Sequence, residues 1–370
     1  MPGLRILLTS NASYDPARGG STRSNLAWLR RLIEHGHSCR VICASLDQDQ
    51  ESTRDGISIR RVKSLPLRRS ILVEEIAGFG PDWVLVSSED VSHMLLREAA
   101  RVAASRLVYL AHTPQFFPFG PESWNRDARA ADVVKAARSV VVIGHSMADY
   151  VRHALGVEPA VIHPPIYGAA PFKQYENFDT GFVLMINPCQ VKGISIFLKL
   201  ARRFPQTRFA ALMGWGTTTA DRQALAALHN VESIETVTNI EEVLARTKLL
   251  LMPSLWYEGF GLIAMETMLR GIPVISSNSG GLQEACRGSS YVIPVSPITK
   301  YLTEFDDTGM PRAVISEQNI EPWEAALSTL SNDKASYLSE AERSRNAAAD
   351  FVGALDPFAL EEHLLSIAGN

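Results

Sequence analysis

The sequence predicts an α/β protein made of two doubly wound domains. Three observations carry that prediction: short apolar runs alternate with glycine-bearing loops and amphipathic stretches, a proline-rich break falls near residue 168, and the same alternation restarts beyond it. At about 150 residues per domain, the 370 residues agree with two cores.

In the first half, Arg5 to Thr9 reads as a strand, followed by a polar loop to Gly20 and an amphipathic helix from Ser21 to His35 that Gly36 ends. Cys39 to Ala44, Trp83 to Ser87, Leu107 to Ala111 and Val140 to Ile143 are further apolar runs of the kind a parallel sheet buries on both faces. His163-Pro164-Pro165 and Pro171 form the hinge. After it come Phe182 to Ile186, Arg208 to Met213, Lys248 to Met252 and Pro273 to Ser276. The expected domains are 1–168 and 172–354, with a C-terminal helix at about 355–370.

Hydrophobic residues at 46% and charged residues at 21% exclude a disordered chain. No stretch reaches the roughly 20 apolar residues of a membrane helix, and the N-terminus lacks a signal-peptide apolar region, so a cytoplasmic protein is expected. Cys39, Cys43, Cys189 and Cys286 are scattered and read as buried thiols rather than metal ligands or disulfides. The net charge of −4 argues against nucleic acid. Up to Gly168 there are 20 Lys and Arg against 17 Asp and Glu, and beyond it 16 against 23, a balance of +3 and −7. The excess is densest from Arg54 to Arg69, where Arg54, Arg60, Arg61, Lys63, Arg68 and Arg69 face only Asp55. This stretch reads first as a solvated loop, and second as a surface for an anionic acceptor or for peripheral contact with an anionic membrane.

The most informative segment runs from Lys248 to Ser276: strand, glycine loop (Glu258-Gly259-Phe260-Gly261), a helix opening at Leu262, a cap at Gly271, and a strand. A glycine loop at the carboxyl end of a parallel strand lets a diphosphate approach the backbone and the helix N-terminus. Glu266, a little over one turn into that helix, can accept from two vicinal ribose hydroxyls; complementing the positive helix end is its competing role.

Glu258-Gly-Phe-Gly-Leu followed by Glu266 resembles the E-x7-E motif of retaining GT-B glycosyltransferases of family GT4, also called group 1. Other parts agree in order: Gly19-Gly20 after the first strand, His112 after Leu107 to Ala111, Lys192-Gly193 after the first strand of the second half, and Gly280-Gly281-Leu282 with Glu284. The resemblance covers nearly the whole chain. It implies two Rossmann-like domains facing a central cleft, the first binding acceptor and the second the nucleotide sugar, with the C-terminal run from Pro357 to Ile367 returning to the first. It also implies retaining transfer of a hexose-type sugar, from a UDP-sugar first and a GDP-sugar second, to a hydroxyl of a glycan, lipid or small molecule. No metal and no cofactor beyond the nucleotide sugar are expected.

By the same resemblance, Glu258, His112 and Lys192 are catalytic, and Gly19, Gly20, Lys192, Gly259, Phe260, Gly261, Leu262 and Glu266 bind the donor. Glu258 would stabilise positive charge near the anomeric carbon, His112 would lie beside donor sugar and acceptor, and Lys192 would meet the leaving diphosphate. Asn187-Pro188 stands where the family usually has an arginine, leaving Lys192 as the main cation. Phe116-Phe117-Pro118-Phe119 hints at an apolar acceptor surface. The acceptor and the oligomeric state are left unassigned.

Three other enzyme classes fit less well. Asp47-Gln48-Asp49 matches the D-x-D of metal-dependent transferases but lies in a hydrophilic run. No G-x-G-x-x-G follows the first strand, and no phosphate-binding G-x-x-x-x-G-K-[ST] occurs. A catalytically reduced homologue serving as sensor or partner subunit is the alternative from another class.

Overall fold

The computed structural model describes residues 3–17 and 19–368. The chain divides into two compact units. One contains the residues up to Gly168 together with those from Leu355 on; the other is Ala169–Ala354.

The first unit is built on an eight-stranded sheet: β1 (Arg5–Ser10), β2 (Ser38–Ser45), β3 (Gln50–Arg54), β4 (Ile57–Lys63), β5 (Trp83–Ser87), β6 (Leu107–Ala111), β7 (Ser139–Val142) and β8 (Ala160–Val161). Its order is β3-β4-β2-β1-β5-β6-β7-β8, parallel except for the β3–β4 hairpin. β1, β5 and β6 are buried almost throughout because helices cover both faces of such a sheet. The strand order reverses between β1 and β5, and loops at the carboxyl ends of strands flanking such a switch point are where open α/β sheets bind ligands.

The second unit repeats the plan with β9 (Phe182–Ile186), β10 (Phe209–Leu212), β11 (Val231–Ile234), β12 (Thr247–Met252), β13 (Val274–Ser277) and β14 (Val292–Ile293), ordered β11-β10-β9-β12-β13-β14 and all parallel. Its switch point lies between β9 and β12. A separate antiparallel hairpin, β15 (Lys300–Phe305) with β16 (Pro311–Val314), follows.

The C-terminal helix Ala359–Ala368 is tied into the first unit. Glu361 accepts from His37 Nε2 at 2.8 Å and meets His35 Nδ1 at 2.5 Å, the His35 ring stacks on Phe358, and Arg138 donates to the carbonyl of Ile367 at 2.8 Å. These imidazoles draw the Glu361 carboxyl below its usual value against the opposing effect of its partial burial.

Two sequence expectations change. The basic stretch is not a loop: β4 lies between β3 and β2, with Ile57, Ile59 and Val62 buried and the adjacent Arg60 and Arg61 half-buried on opposite faces of the strand. Carboxylates distant in sequence pair with its arginines. Glu75 meets both Arg40 and Arg60, Asp15 meets Arg54 and Arg61, Arg68 holds Asp49 at 2.8 Å and 2.9 Å, and Arg69 lies 3.5 Å from Glu98. The aromatic loop is not an apolar surface either, since Phe117 and Phe119 are buried and Phe117 packs on Tyr109 and Tyr150. Among the described residues, no helix is long and apolar enough to cross a membrane.

Candidate active site

The two switch points gather most of the residues singled out from sequence, and each half-site is built within its own unit. In the second unit, the loop after β9 turns through Gln190–Lys192 into Gly193, whose φ of +82° favours glycine. A Cβ there would lie 2.0 Å from the carbonyl oxygen of Pro253, so the glycine lets the loop press on the end of β12. The carbonyl of Val191 accepts from the backbone N–H of both Leu255 and Trp256, joining the two loops.

This junction brings Lys192 and Glu258 together. Lys192 Nζ donates to Glu258 Oε1 at 2.6 Å, Ser254 Oγ donates to the same oxygen at 2.6 Å, and Lys192 sits 3.9 Å above the Trp256 ring centroid. Their side chains are 16% and 14% exposed, enough for solvent or ligand to reach a charged pair. Glu258 Oε2 carries no hydrogen bond among the described residues.

The glycine loop is braced from β13. The N–H of Gly281 donates to the carbonyl of Glu258 at 2.8 Å, and a Cβ at Gly281 would lie 2.6 Å from Phe260 Cα. A Cβ at Gly280 would lie 2.4 Å from the Glu258 carbonyl oxygen. Gly280 and Gly281 therefore shape the Glu258–Gly261 loop. Gly261, with φ of +114°, opens the helix Leu262–Met268. Glu266 is buried on that helix, and Phe260 is buried against Phe351.

Asn187 stands at the end of β9 in a left-handed conformation, φ +55°. Its Oδ1 accepts from the N–H of Gly216 at 2.9 Å, pinning the Gly214–Gly216 turn after β10. That turn carries Trp215, 54% exposed, with its ring 5.5 Å from that of Trp256. The position read as a missing arginine is thus occupied structurally. Trp215, Trp256 and Ser254 were not found from sequence; the G-W-G spacing was the only local signal of an exposed aromatic ring on a strand-end turn.

In the first unit, Gly19 caps the helix Gly20–Glu34, so Gly20 belongs to the helix and Gly19 alone to the loop; Arg18 beside it lies outside the described residues. His112 follows β6 and is 3% exposed, its backbone N–H donating to Ser88 Oγ. Its Nε2 lies 2.8 Å from Asn25 Oδ1 and its ring 5.8 Å from that of Trp28, while Nδ1 is buried without a hydrogen-bond partner among the described residues. Burial holds its pKa below the usual histidine value, outweighing the pull of Glu89. Asn25 and Glu89, after β5, were also not found from sequence.

Solved glycosyltransferase structures share this fold. The Anabaena protein Alr3699/HepE, in complex with UDP and glucose, superposes with a TM-score of 0.70 at 16% identity, covering 98% of this chain and 99% of that one. Sucrose-phosphate synthase from Thermosynechococcus elongatus gives 0.68 at 16%, covering 98% of each chain. The catalytic domain of Arabidopsis thaliana starch synthase IV, bound to ADP and acarbose, gives 0.65 at 14% over the whole of both chains. No curated protein matches the chain. The class is therefore set by the fold: two doubly wound α/β domains of the GT-B type.

Two family models match in succession, "Glycosyltransferase Family 4" over residues 18–167 and "Glycosyl transferases group 1" over residues 177–308. The chain belongs to glycosyltransferase family 4, the group 1 glycosyltransferases, and as such is a GT-B enzyme using nucleotide sugars.

Proposed function

We propose that this protein transfers a hexose-type sugar from a UDP-sugar, with a GDP-sugar as the second choice, to a hydroxyl of a glycan, lipid or small-molecule acceptor. Configuration at the anomeric carbon is retained and no metal or further cofactor takes part. The observation that carries this reading is the Lys192–Ser254–Glu258 cluster at the sheet's switch point, a cation and a carboxylate of which one oxygen is unengaged among the described residues. That UDP and UDP-glucose are bound in HepE supports the donor choice.

In this reading Lys192 and the N–H groups at Phe260, Gly261 and Leu262 receive the charge of the departing diphosphate, and Glu266 holds the ribose. Glu258 stabilises the oxocarbenium-like centre, and Gly19 and His112 contact the sugar. The bond from the anomeric carbon to the phosphate oxygen breaks, and the diphosphate takes its electron pair. The acceptor oxygen bonds to that carbon on the same face, and its proton passes to a phosphate oxygen, so no side-chain base is needed. The four buried free thiols fit a reducing, cytoplasmic setting.

The test is proton NMR of the first product from UDP-glucose, with and without a chelator. An α-linked product formed at the same rate in both samples supports the reading; a β-linked product, or activity restored only by Mg²⁺ or Mn²⁺, removes it. The competing role, a sugar-nucleotide sensor, draws on Asn187, which supplies no second cation. Binding of donor without release of UDP in the presence of any acceptor would favour it.

A further inference from the structure

Resting on the reading of His112 as a sugar-contacting residue, we propose that Asn25 is a positioning residue for transfer. It holds His112 in one neutral tautomer, so that Nδ1 is kept as a hydrogen-bond acceptor for a substrate hydroxyl.

The assignment follows from counting hydrogens. Asn25 is fully buried on the helix Gly20–Glu34, and its amide nitrogen donates to Tyr14 Oη at 2.7 Å and to Ser87 Oγ at 2.9 Å. Both amide hydrogens are thereby used. The atom 2.8 Å from His112 Nε2 is the amide oxygen, which can only accept, so Nε2 carries the ring hydrogen. In a neutral imidazole the other nitrogen then presents a lone pair. Nδ1 is shut from solvent and has no partner among the described residues, which is costly for a polar atom unless a ligand engages it.

The chain of bonds has a fixed direction. His112 donates to Asn25, Asn25 to Ser87, and Ser87, its oxygen already accepting, donates to the Glu89 carboxylate. An anion at the far end favours this polarity in each link. Tyr14 is buried with its pKa raised by desolvation, so it stays a neutral phenol at the other branch. Glu89 is the charged group whose field reaches His112 among the described residues, without touching it; the hydrogen bonds between the two run through Asn25 and Ser87.

An amide is the side chain this arrangement needs. A carboxylate at position 25 would still accept from Nε2–H. It would also stabilise the imidazolium, placing a hydrogen on Nδ1, and could no longer donate to Tyr14 and Ser87.

The experiment uses the full chain labelled with ¹⁵N-histidine, the His112 signals assigned by their loss in His112→Gln. At pH 7.5 the wild-type protein is expected to show His112 neutral with hydrogen on Nε2, and Nδ1 moving upfield when UDP-glucose and acceptor are added. Asn25→Asp is expected to show an imidazolium at that pH, with kcat lowered about 10- to 100-fold and the acid limb of its pH profile moved upward, while the donor KM changes little. A wild-type His112 protonated on Nδ1 overturns the proposal without any variant. An Asn25→Asp protein whose His112 stays neutral and whose pH profile is unmoved also overturns it. If no sugar nucleotide supports transfer, the proposed function falls instead, while the wild-type tautomer still decides the assignment of Asn25.

Discussion

The two half-sites stand at equivalent switch points of two similar sheets, yet they hold their polar groups in opposite ways. Around His112 the groups are deeply buried and neutral, joined by amide, hydroxyl and imidazole hydrogen bonds up to Glu89, with only the ring's Nδ1 left over among them. Around Lys192 a full ion pair is kept, lying on the Trp256 ring and still partly open. The difference follows solvent access. A charge withdrawn from water is expensive even when paired, so deep burial selects neutral networks, whereas a partly open pocket can keep a cation ready for an anionic ligand.

That comparison breaks most sharply at Lys192. Lys192→Ala removes the cation assigned to the leaving diphosphate, and kcat/KM is expected to fall about 10²- to 10³-fold, the loss typical of one preorganised electrostatic contact. It also strands the Glu258 carboxylate beside Ser254. Adding Glu258→Ala should recover part of any loss in melting temperature without recovering activity. A Lys192→Ala enzyme within threefold of wild type would show that the pair is structural only.

A second contrast sets one glycine of each unit against the other. Gly193 and Gly19 both have positive φ, +82° and +92°, so a side chain at either is strained by about 1–3 kcal/mol. The surroundings differ: a Cβ at Gly193 meets the Pro253 carbonyl oxygen at 2.0 Å, and a Cβ at Gly19 meets nothing within 4 Å. Gly193→Ala should therefore cost clearly more in chemical denaturation than Gly19→Ala, and should separate Lys192 from Glu258. Equal costs would mean that backbone strain alone sets both.

How far the sequence reveals this molecule depends on where the information sits. β1, β5, β6, β9 and β12 are continuous apolar runs, and both faces of their sheets are covered, so these strands stand out. β4 hides because it lies beside the polar hairpin strand β3, and its adjacent Arg60 and Arg61 break the apolar alternation between Ile59 and Val62, so it reads as a charged segment once the distant carboxylates are unseen. Glu258, Glu266 and Lys192 are legible because glycines flank them at strand ends. Asn25 is not, since a polar residue within an amphipathic helix looks solvated; the one hint is that it falls among positions occupied by Leu26, Trp28 and Leu29, all buried. Asn187 was read by what it is not, and only the three-dimensional partner at Gly216 reveals what it does.

The smallest expected effect separates the units by pH. His93, His112 and His363, all in the first unit, have pKa values held below the usual 6.5 by burial. A histidine kept neutral in the fold takes up a proton more readily when unfolded. Its contribution is therefore present above the unfolded value and is lost as pH falls below about 6.5, until the lowered folded value is reached. In the second unit the partly buried carboxylate with a lowered value is Glu241, chiefly through Arg270, and its contribution fades only below the ordinary glutamate range. Between pH 7.5 and 5.5 the first unit should soften while the second holds. Hydrogen exchange corrected for intrinsic rates reads this directly, comparing peptides over Trp83–Ser87 and Leu107–Ala111 with those over Phe182–Ile186 and Thr247–Met252. His363→Gln, on the C-terminal helix where Nε2 meets Ser139 Oγ at 2.8 Å, should flatten part of the first unit's slope without touching the second. Parallel loss of protection in both units would show that the neutral network around His112 does not set the acid sensitivity of its own domain.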